Sequence, residues 1–309
     1  MLRRSFMKSA AALGAAALSS QAILARALAA QNSAQLPLVS SVQGTNYFEI
    51  TQKAIELIGG MGRFVKPGSS VGLLVNAPSW WKRHGSHTQT DVVLATAKMA
   101  ADAGAKKITL LLKLAPDFWD RSPRSADHKS LIASIADPSD QYIPKQIARG
   151  VTLKQAEMIK DLFESDVFID IPIAKHHEGT HFTGCLKNMM GACNRKTNQF
   201  MHTGGGDKKN YEDVAFLSQC IADVNLVRKP DLCVVDATEF LLTGGPAGPG
   251  EIHKEQKVLA GTDPVLLDAH CVAFFNRKPE DILMIRMAVA HGIGTMDTTA
   301  CELKTATLG

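Results

Sequence analysis

Apolar strand-like runs alternate with helical patterns along most of the chain, and this alternation limits the fold more than any other feature. Helical spacing over residues 47–58 and 91–103 is bounded by turn residues, and short apolar runs follow at 71–75 and 107–112. Residues 167–173 form a third such run. Strands separated by helices pair in parallel through right-handed crossovers. We therefore predict an α/β fold with a mostly parallel sheet and flanking helices.

Capping and turn signals divide the rest of the chain. Thr90 is predicted to cap the 91–103 helix, and Thr152 with Gln155 resembles a capping box that opens a helix over 152–163. Further predicted elements are helix 211–224, strand 232–235, a glycine-rich loop 243–250, strand 257–260, and helices 265–275 and 280–290. Residues 31–309 are predicted to form a single α/β domain. Within it, 115–145 is interpreted either as an irregular insertion or as a boundary between two lobes.

The first thirty residues are interpreted as a targeting segment. The run Arg3-Arg-Ser-Phe-Met-Lys8 precedes an Ala/Leu-rich stretch, and Ala27-Leu-Ala29 has the form of a cleavage site. Because this looks like a twin-arginine signal, residues 1–30 are predicted to be a signal peptide and the twin-arginine translocase a transient partner. We expect the mature chain in the periplasm or outside the cell. An uncleaved membrane anchor is the alternative, although the apolar run is short for a bilayer span and no later segment is long enough.

Charge and cysteine usage exclude several classes of protein. Four of the 34 basic residues and none of the 30 acids lie in the targeting segment, so the mature chain is formally neutral. It therefore lacks the excess of positive charge that is typical of nucleic-acid-binding proteins. No Cys-x-x-Cys pair occurs, which argues against c-type haem, zinc ribbons and ferredoxin-like clusters. Cys220, Cys233 and Cys271 lie in apolar runs and are predicted to be core thiols. Cys185 and Cys193 flank Lys187 and are candidates for function.

The stretch 175–191 concentrates titratable side chains directly after the third apolar run. It contains three histidines, a glutamate, a cysteine and two lysines. Strand ends in α/β proteins open onto the crevice where ligands bind. Asn76 and Asp236 follow two other predicted strands, so a site built from Asn76, His177, Lys187 and Asp236 is expected at one edge of the sheet.

The chemistry of this stretch admits several roles. Neutral imidazoles bind transition metals and also act as general acids and bases near neutral pH. A metal or a cation nearby would lower the pKa of Lys187 and favour a reactive or covalently tethered amine. The glycine-rich loop would let backbone amides approach an anion, but it lacks the Lys-Ser/Thr of a phosphate loop, and the dinucleotide fingerprint is absent. A purely structural role for the histidines is the plain alternative.

Several motifs resemble the DUF362 family, which is named for a domain of unknown function. The motifs are Pro172-Ile-Ala-Lys-His-His177, Thr183-Gly184, Lys187-Asn-Met-Met-Gly191, His202, Ile221-Ala-Asp223, Pro230 to Asp236, Gly244-Gly-Pro246, and Thr262-Asp-Pro264 with Asp268. The resemblance covers roughly residues 65–295. It implies an α/β architecture and export, but not a reaction. We take Asn76, Thr183, Gly184, Asn188, Asp236, Gly244 and Gly245 as candidate cofactor-binding residues.

A fainter similarity is to the nickel-pincer lactate racemase family. His177, Lys187 and His202 fall at a similar spacing to that family's acid/base histidine, its lysine tether for the pincer nucleotide, and its metal-ligand histidine. The resemblance implies those three roles here. The opposing catalytic histidine of the family is missing, because Leu112-Lys113 occupies that place, so a two-base racemase is not expected.

Two functional hypotheses follow. The first is an exported enzyme or cofactor-binding protein with a racemase/isomerase-like or redox reaction. Its catalytic residues would be His177 and Lys187, and its metal ligands His177, His181 and His202, holding a transition metal or a metal-bearing nucleotide. The second is a non-catalytic periplasmic binding or accessory module for an anionic small molecule.

Overall fold

A mixed, mostly parallel β-sheet organises the part of the chain that the computed structural model describes, which is residues 36–79, 84–204 and 213–309. The predicted signal peptide lies outside these residues. Within them, seven strands form one sheet in the order β3-β2-β6-β7-β8-β1-β9 and two form a separate hairpin, β4-β5. The strands are β1 (Leu38–Gln43), β2 (Ser70–Val75), β3 (Lys107–Leu110), β4 (Tyr142–Gln146), β5 (Gln155–Ile159), β6 (Val167–Ile171), β7 (Leu232–Leu241), β8 (Ile252–Gly261) and β9 (Glu302–Thr307).

Helices cover both faces of the sheet. They are α1 (Tyr47–Leu57), α2 (Thr90–Asp102), α3 (Lys129–Ser134), α4 (Asp161–Glu164), α5 (Cys185–Asn188), α6 (Arg195–Thr203), α7 (Val214–Val224), α8 (Pro264–Val272) and α9 (Leu283–Ala290). Successive side chains of β2 alternate between the two apolar layers: Leu73 packs with α1 and α2, and Leu74 packs with α5, α7, α8 and α9. The predicted α/β class is thus confirmed. Among the described residues, no helix is long and apolar enough to cross a bilayer.

The sheet is mostly parallel, as predicted, and one strand on one side of it runs antiparallel to its neighbours. The pairs β3-β2, β2-β6 and β6-β7 are parallel, whereas β8 runs antiparallel to both β7 and β1. The connection from β7 to β8 is the glycine-rich loop, which contains no helix and therefore reverses the chain as a hairpin. Strand β7 also continues to Leu241, well beyond the predicted 232–235.

The predicted helix over 152–163 is wrong. Strand β5 lies in the middle of it and pairs with β4, and only the four-residue helix α4 follows. The Asp223 carboxylate accepts hydrogen bonds from the backbone N–H groups of Val151, Thr152 and Leu153 at 2.7–3.0 Å. These donors would otherwise have been the free N–H groups of a first helical turn, so a distant carboxylate holds the segment extended.

The segment 115–145 contains two 3-10 helices, the short helix α3 and the start of β4. Thr90 does not cap α2. Gln89 occupies the N-cap position without a side-chain hydrogen bond, and the Thr90 hydroxyl donates to the Phe118 carbonyl at 2.7 Å. Thr90 therefore ties α2 to this segment.

Candidate functional site

A cavity of about 680 Å³ lies at the carboxyl ends of the parallel strands β2, β3 and β6. Parallel strands leave their following loops at one edge of a sheet, which is where ligands bind in α/β proteins. Nitrogen-bearing side chains dominate its polar wall. They are Asn76, Lys113, Lys175, His177, Lys187, Asn188, Arg195, Asn198 and His202. Six of these nine come from the predicted stretch 175–191, from the predicted strand end at Asn76, or from the predicted ligand His202.

A short loop after β6 selects which histidine faces the cavity. Lys175 and Thr183 exchange backbone hydrogen bonds of 3.1 and 2.8 Å, which closes the segment between them into a loop. His177 is buried and lines the cavity, whereas His176 and His181 are not among its lining residues. Of the three histidines in the predicted stretch, only His177 therefore lines the cavity.

His177 is held as a neutral imidazole with its hydrogen on Nε2. The backbone N–H of Gly179 donates to His177 Nδ1 at 3.0 Å, so Nδ1 must carry the lone pair. Burial, and then the nearby Lys187 charge, lower the pKa of His177 strongly. A ring in this state has no free lone pair at Nε2 for a metal or a proton. It is suited to donating a hydrogen bond to a bound anion.

Titration of His177 provides a direct check. We expect its ring nitrogen signals in an NMR spectrum to stay in the Nε2–H form from about pH 8 to about pH 5. His202 is the internal control, because burial and the charge of Lys187 lower its pKa only to about 4. A His177 signal that protonates before that of His202 would contradict the assignment.

Lys187 is buried in α5 without an oxygen partner among the described residues. Its Nζ contacts the Met190 Sδ at 3.4 Å, a weak acceptor. Burial lowers its pKa to about 8. A buried ammonium that lacks a carboxylate or carbonyl partner is costly, and a bound anion would remove that cost.

Lys175, which sequence reasoning did not select, lies next to Lys187 in the same wall. Its Nζ donates to the Ser86 carbonyl at 2.5 Å and contacts Asn76 Oδ1 at 3.4 Å. Burial, and then the charge of Lys187, lower its pKa to about 7. The signal in the sequence that could have identified Lys175 was its position shortly after the apolar run that forms β6.

Two further predicted residues reach the cavity. Thr183 lines it, and its hydroxyl group is buried without a hydrogen-bond partner among the described residues. Asn188 also lines it, and its Nδ2 donates to the Leu74 carbonyl at 3.0 Å and to Asp170 Oδ1 at 2.7 Å. Thr183 therefore offers an unused polar group, while the Asn188 amide is already anchored.

Asp236 was predicted to follow a strand, but it lies inside β7. It is fully buried and accepts hydrogen bonds from the backbone of Gln89 at 2.6 Å and from the hydroxyl of Thr238 at 2.6 Å. It therefore joins β7 to the start of α2, and it is absent from the cavity lining.

The predicted glycines act in packing and do not line the cavity. A Cβ on Gly184 would lie 2.2 Å from Asp268 Oδ1, and one on Gly245 would lie 1.8 Å from the His176 carbonyl oxygen. Gly244 belongs to the same loop as Gly245 and adopts φ 64°. The glycine-rich loop thus packs against the backbone of the 176–178 segment and helps to position His177.

A metal site made of His177, His181 and His202 is not supported by this geometry. Gly179 engages the lone pair of His177, and His181 lies outside the cavity lining. In the described residues, the one group of His, Cys, Asp or Glu atoms close enough to share an ion lies elsewhere and contains no histidine.

The sequence pattern of the family described as "Domain of unknown function (DUF362)" matches residues 71–273, about two thirds of the chain. The chain belongs to the DUF362 family. The matched range contains every cavity residue named above, so the cavity is built from the part of this DUF362 protein that defines its family.

This DUF362 protein is also similar to individual proteins. It is 25% identical over 254 residues to the thylakoid-associated protein sll1697 of Synechocystis sp., covering 81% of this chain and 75% of that protein. The lactate racemase apoprotein of Thermoanaerobacterium thermosaccharolyticum matches with a TM-score of 0.41 and 11% identity, over 75% of this chain and 56% of that one. A protein of Thermotoga maritima matches with a TM-score of 0.39 and 12% identity, over 80% and 60%. The chain spans less than two thirds of both solved structures.

Proposed function

We propose that this DUF362 protein binds an anionic small molecule, a cofactor or a substrate that bears a carboxylate or phosphate, in the strand-end cavity. The observation that carries the proposal is the buried ammonium of Lys187, whose Nζ contacts the thioether sulfur of Met190. An anion bound there would pair with Lys187 and Lys175 and accept the hydrogen of His177 Nε2. The unused Thr183 hydroxyl supplies a further hydrogen bond.

A metal-bearing nucleotide of the kind implied by the racemase resemblance is one ligand compatible with this wall. Lys175 and Lys187 would bind its anionic part, and His202, which lines the same wall, would face its metal. Such a cofactor would supply the metal chemistry, and the chain would supply charge and hydrogen-bond donors. The same wall fits a metal-free carboxylate or phosphate, and metal analysis separates the two.

Native mass spectrometry of protein purified from its own host tests the proposal. We expect a mass above that of the bare chain, removed by denaturation, and the released molecule should migrate as an anion. Elemental analysis of the same sample reports whether it brings a metal. A bare chain that also fails to bind sulfate or simple carboxylates would contradict the proposal.

Anion binding should depend on pH with a defined sign. Only the protonated amines attract an anion, and burial lowers the pKa of Lys175 to about 7 and that of Lys187 to about 8. Affinity for sulfate, whose own charge is constant here, should be highest at about pH 6 and decline as pH rises to about 9. Calorimetric titration at fixed ionic strength measures this, and an affinity that is flat or rising across the range would contradict it.

A catalytic role for Lys187 and His177 is the second candidate, favoured by the lowered pKa of Lys187. A neutral amine can attack a carbonyl carbon and lose water to form an imine, and His177 would donate to the carbonyl oxygen. Cyanoborohydride reduction in the presence of pyruvate should then label the peptide that contains Lys187. Exposed Lys98 in the same digest is the control, and equal labelling of both peptides would exclude this role.

We also propose that the chain is exported to the periplasm or beyond. The Arg3-Arg4 motif supports this proposal, and the thylakoid association of the Synechocystis relative is compatible with it. Lysine in place of both arginines should retain the chain in the cytoplasm, as cell fractionation would report. Export that is unaffected by the double substitution would contradict twin-arginine transport.

A further inference from the structure

A second cluster of reactive side chains lies beneath the cavity, in the core. Asp170 of β6 pairs in register with Cys233 of β7, and Cys185 begins α5 above them. One ligand atom from each residue lies within 4.8 Å of the other two. All three side chains are at most 2% exposed. None lines the cavity, so this cluster is distinct from the proposed anion site.

The Asp170 carboxylate is only half satisfied. Its Oδ1 accepts from Asn188 Nδ2 at 2.7 Å, whereas its Oδ2 is buried without a hydrogen-bond partner among the described residues. Burial raises the pKa of Asp170, and neighbouring Asp268 adds to this effect. A buried carboxylate oxygen without a partner is costly, and a cation is one way to satisfy it.

Surrounding hydrogen bonds hold two of the cluster's members in place. Asp268 accepts from the backbone N–H groups of Cys185 at 2.6 Å and Leu186 at 3.0 Å, an approach that requires glycine at 184. Asn188 fixes the Asp170 carboxylate while bonding the Leu74 carbonyl. Outer hydrogen bonds that orient the ligating side chains are typical of built metal sites.

We propose that Asp170, Cys185 and Cys233 bind one thiophilic divalent cation, Zn²⁺. Two thiolates and a carboxylate form a donor set that zinc accepts, and the ion would take the unpartnered Asp170 Oδ2. Binding displaces the protons of both thiols and any proton on the Asp170 carboxyl group, and no electrons are transferred. Because Asn188 contacts both Asp170 and the cavity, the ion would also fix one residue of the cavity wall.

Metal content tests the site. Protein grown with zinc and dialysed against a chelator while folded should retain about one Zn²⁺ per chain, since the site is buried. Cys185→Ser and Cys233→Ser should each lose it. Cys220→Ser is the matched control, because it alters another buried thiol, in α7, and should keep the metal.

A measurement on the unmodified chain protects the test against serine variants that fail to fold. Protein grown with Co²⁺ in place of zinc should show thiolate-to-cobalt charge-transfer absorption in the near ultraviolet, and the band should vanish on denaturation with a chelator. A chain without this band and without retained zinc would overturn the proposal. A disulfide-linked peptide pair containing Cys185 and Cys233 would also overturn it.

Discussion

Replacing Lys187 by methionine is expected to weaken sulfate binding by about 2–3 kcal/mol, roughly 30- to 150-fold, the usual loss for a buried charged partner. Methionine is one atom shorter than lysine but likewise unbranched, and it puts an apolar end in place of the Nζ that contacts the Met190 sulfur, so the cavity should keep nearly the same shape. Calorimetric titration at about pH 6 measures the change, because the amine is then protonated.

The same substitution should stabilise the fold, which distinguishes a functional lysine from a structural one. Methionine removes a buried charge whose hydrogen-bond partner among the described residues is the Met190 sulfur, so the unfolding free energy should rise by about 1 kcal/mol or more. Lys98→Met is the matched control: this exposed lysine of α2 pairs with Asp102, and its loss should alter neither quantity appreciably. A Lys187→Met protein that binds sulfate normally, or that unfolds more easily, would contradict the proposed anion site.

Replacing Gly245 by alanine is expected to lower the free energy of unfolding strongly. The new Cβ would lie 1.8 Å from the His176 carbonyl oxygen, so backbone must move. Gly245 also donates its N–H to His176 Nδ1 at 3.1 Å and accepts the N–H of Glu178 at 3.2 Å. We expect a loss of about 3 kcal/mol or more, and a Tm lower by about 6–12 °C.

The displaced loop should also weaken sulfate binding, because Gly245 positions the segment that carries His177. Gly62→Ala is the control: its Cβ would meet no atom within 4 Å, and the change should leave both Tm and affinity nearly unaltered. If Gly245→Ala melted like Gly62→Ala, the close packing of the glycine-rich loop on His176 would be refuted.

Helices and strands with strong internal patterns were predictable from the sequence. The runs that became β2, β3 and β6 are mostly apolar because helices cover both faces, and α1 has clear amphipathic spacing. Strands β1 and β9 were missed. β9 is a mostly exposed edge strand with no apolar run, and it pairs with β1 at the other end of the described chain. Local patterns do not encode such a partner.

The helix at 152–163 was misassigned for the same reason: the partner that decides the structure is distant in the sequence. Thr152 and Gln155 match a local capping signal, but Asp223, some seventy residues away, binds the backbone N–H groups of this segment. Asp236 was placed at a strand end because its apolar run stops there, whereas pairing with β8 carries β7 onward to Leu241. In both places a long-range partner overrides the local preference.

The location of the cavity could be anticipated, but not which side chains form it. His177, Lys187 and His202 were selected from residue type and spacing, and all three line it. Lys175, in contrast, was not selected from the sequence, because a single lysine is not a distinctive pattern. Its proximity to Lys187, and the burial that lowers the pKa of both, arise only when β6 and α5 pack together.

By itself, the sequence determined the α/β class, the edge of the sheet at which a site forms, and the concentration of basic and imidazole groups there. These depend on periodicity and on the rule that parallel strands end together. Only the tertiary structure decided which histidine enters the cavity, which nitrogen of it carries hydrogen, and that Asp170, Cys185 and Cys233 meet in the core. Those properties depend on ångström-scale contacts between residues distant in the chain, and no local pattern contains them.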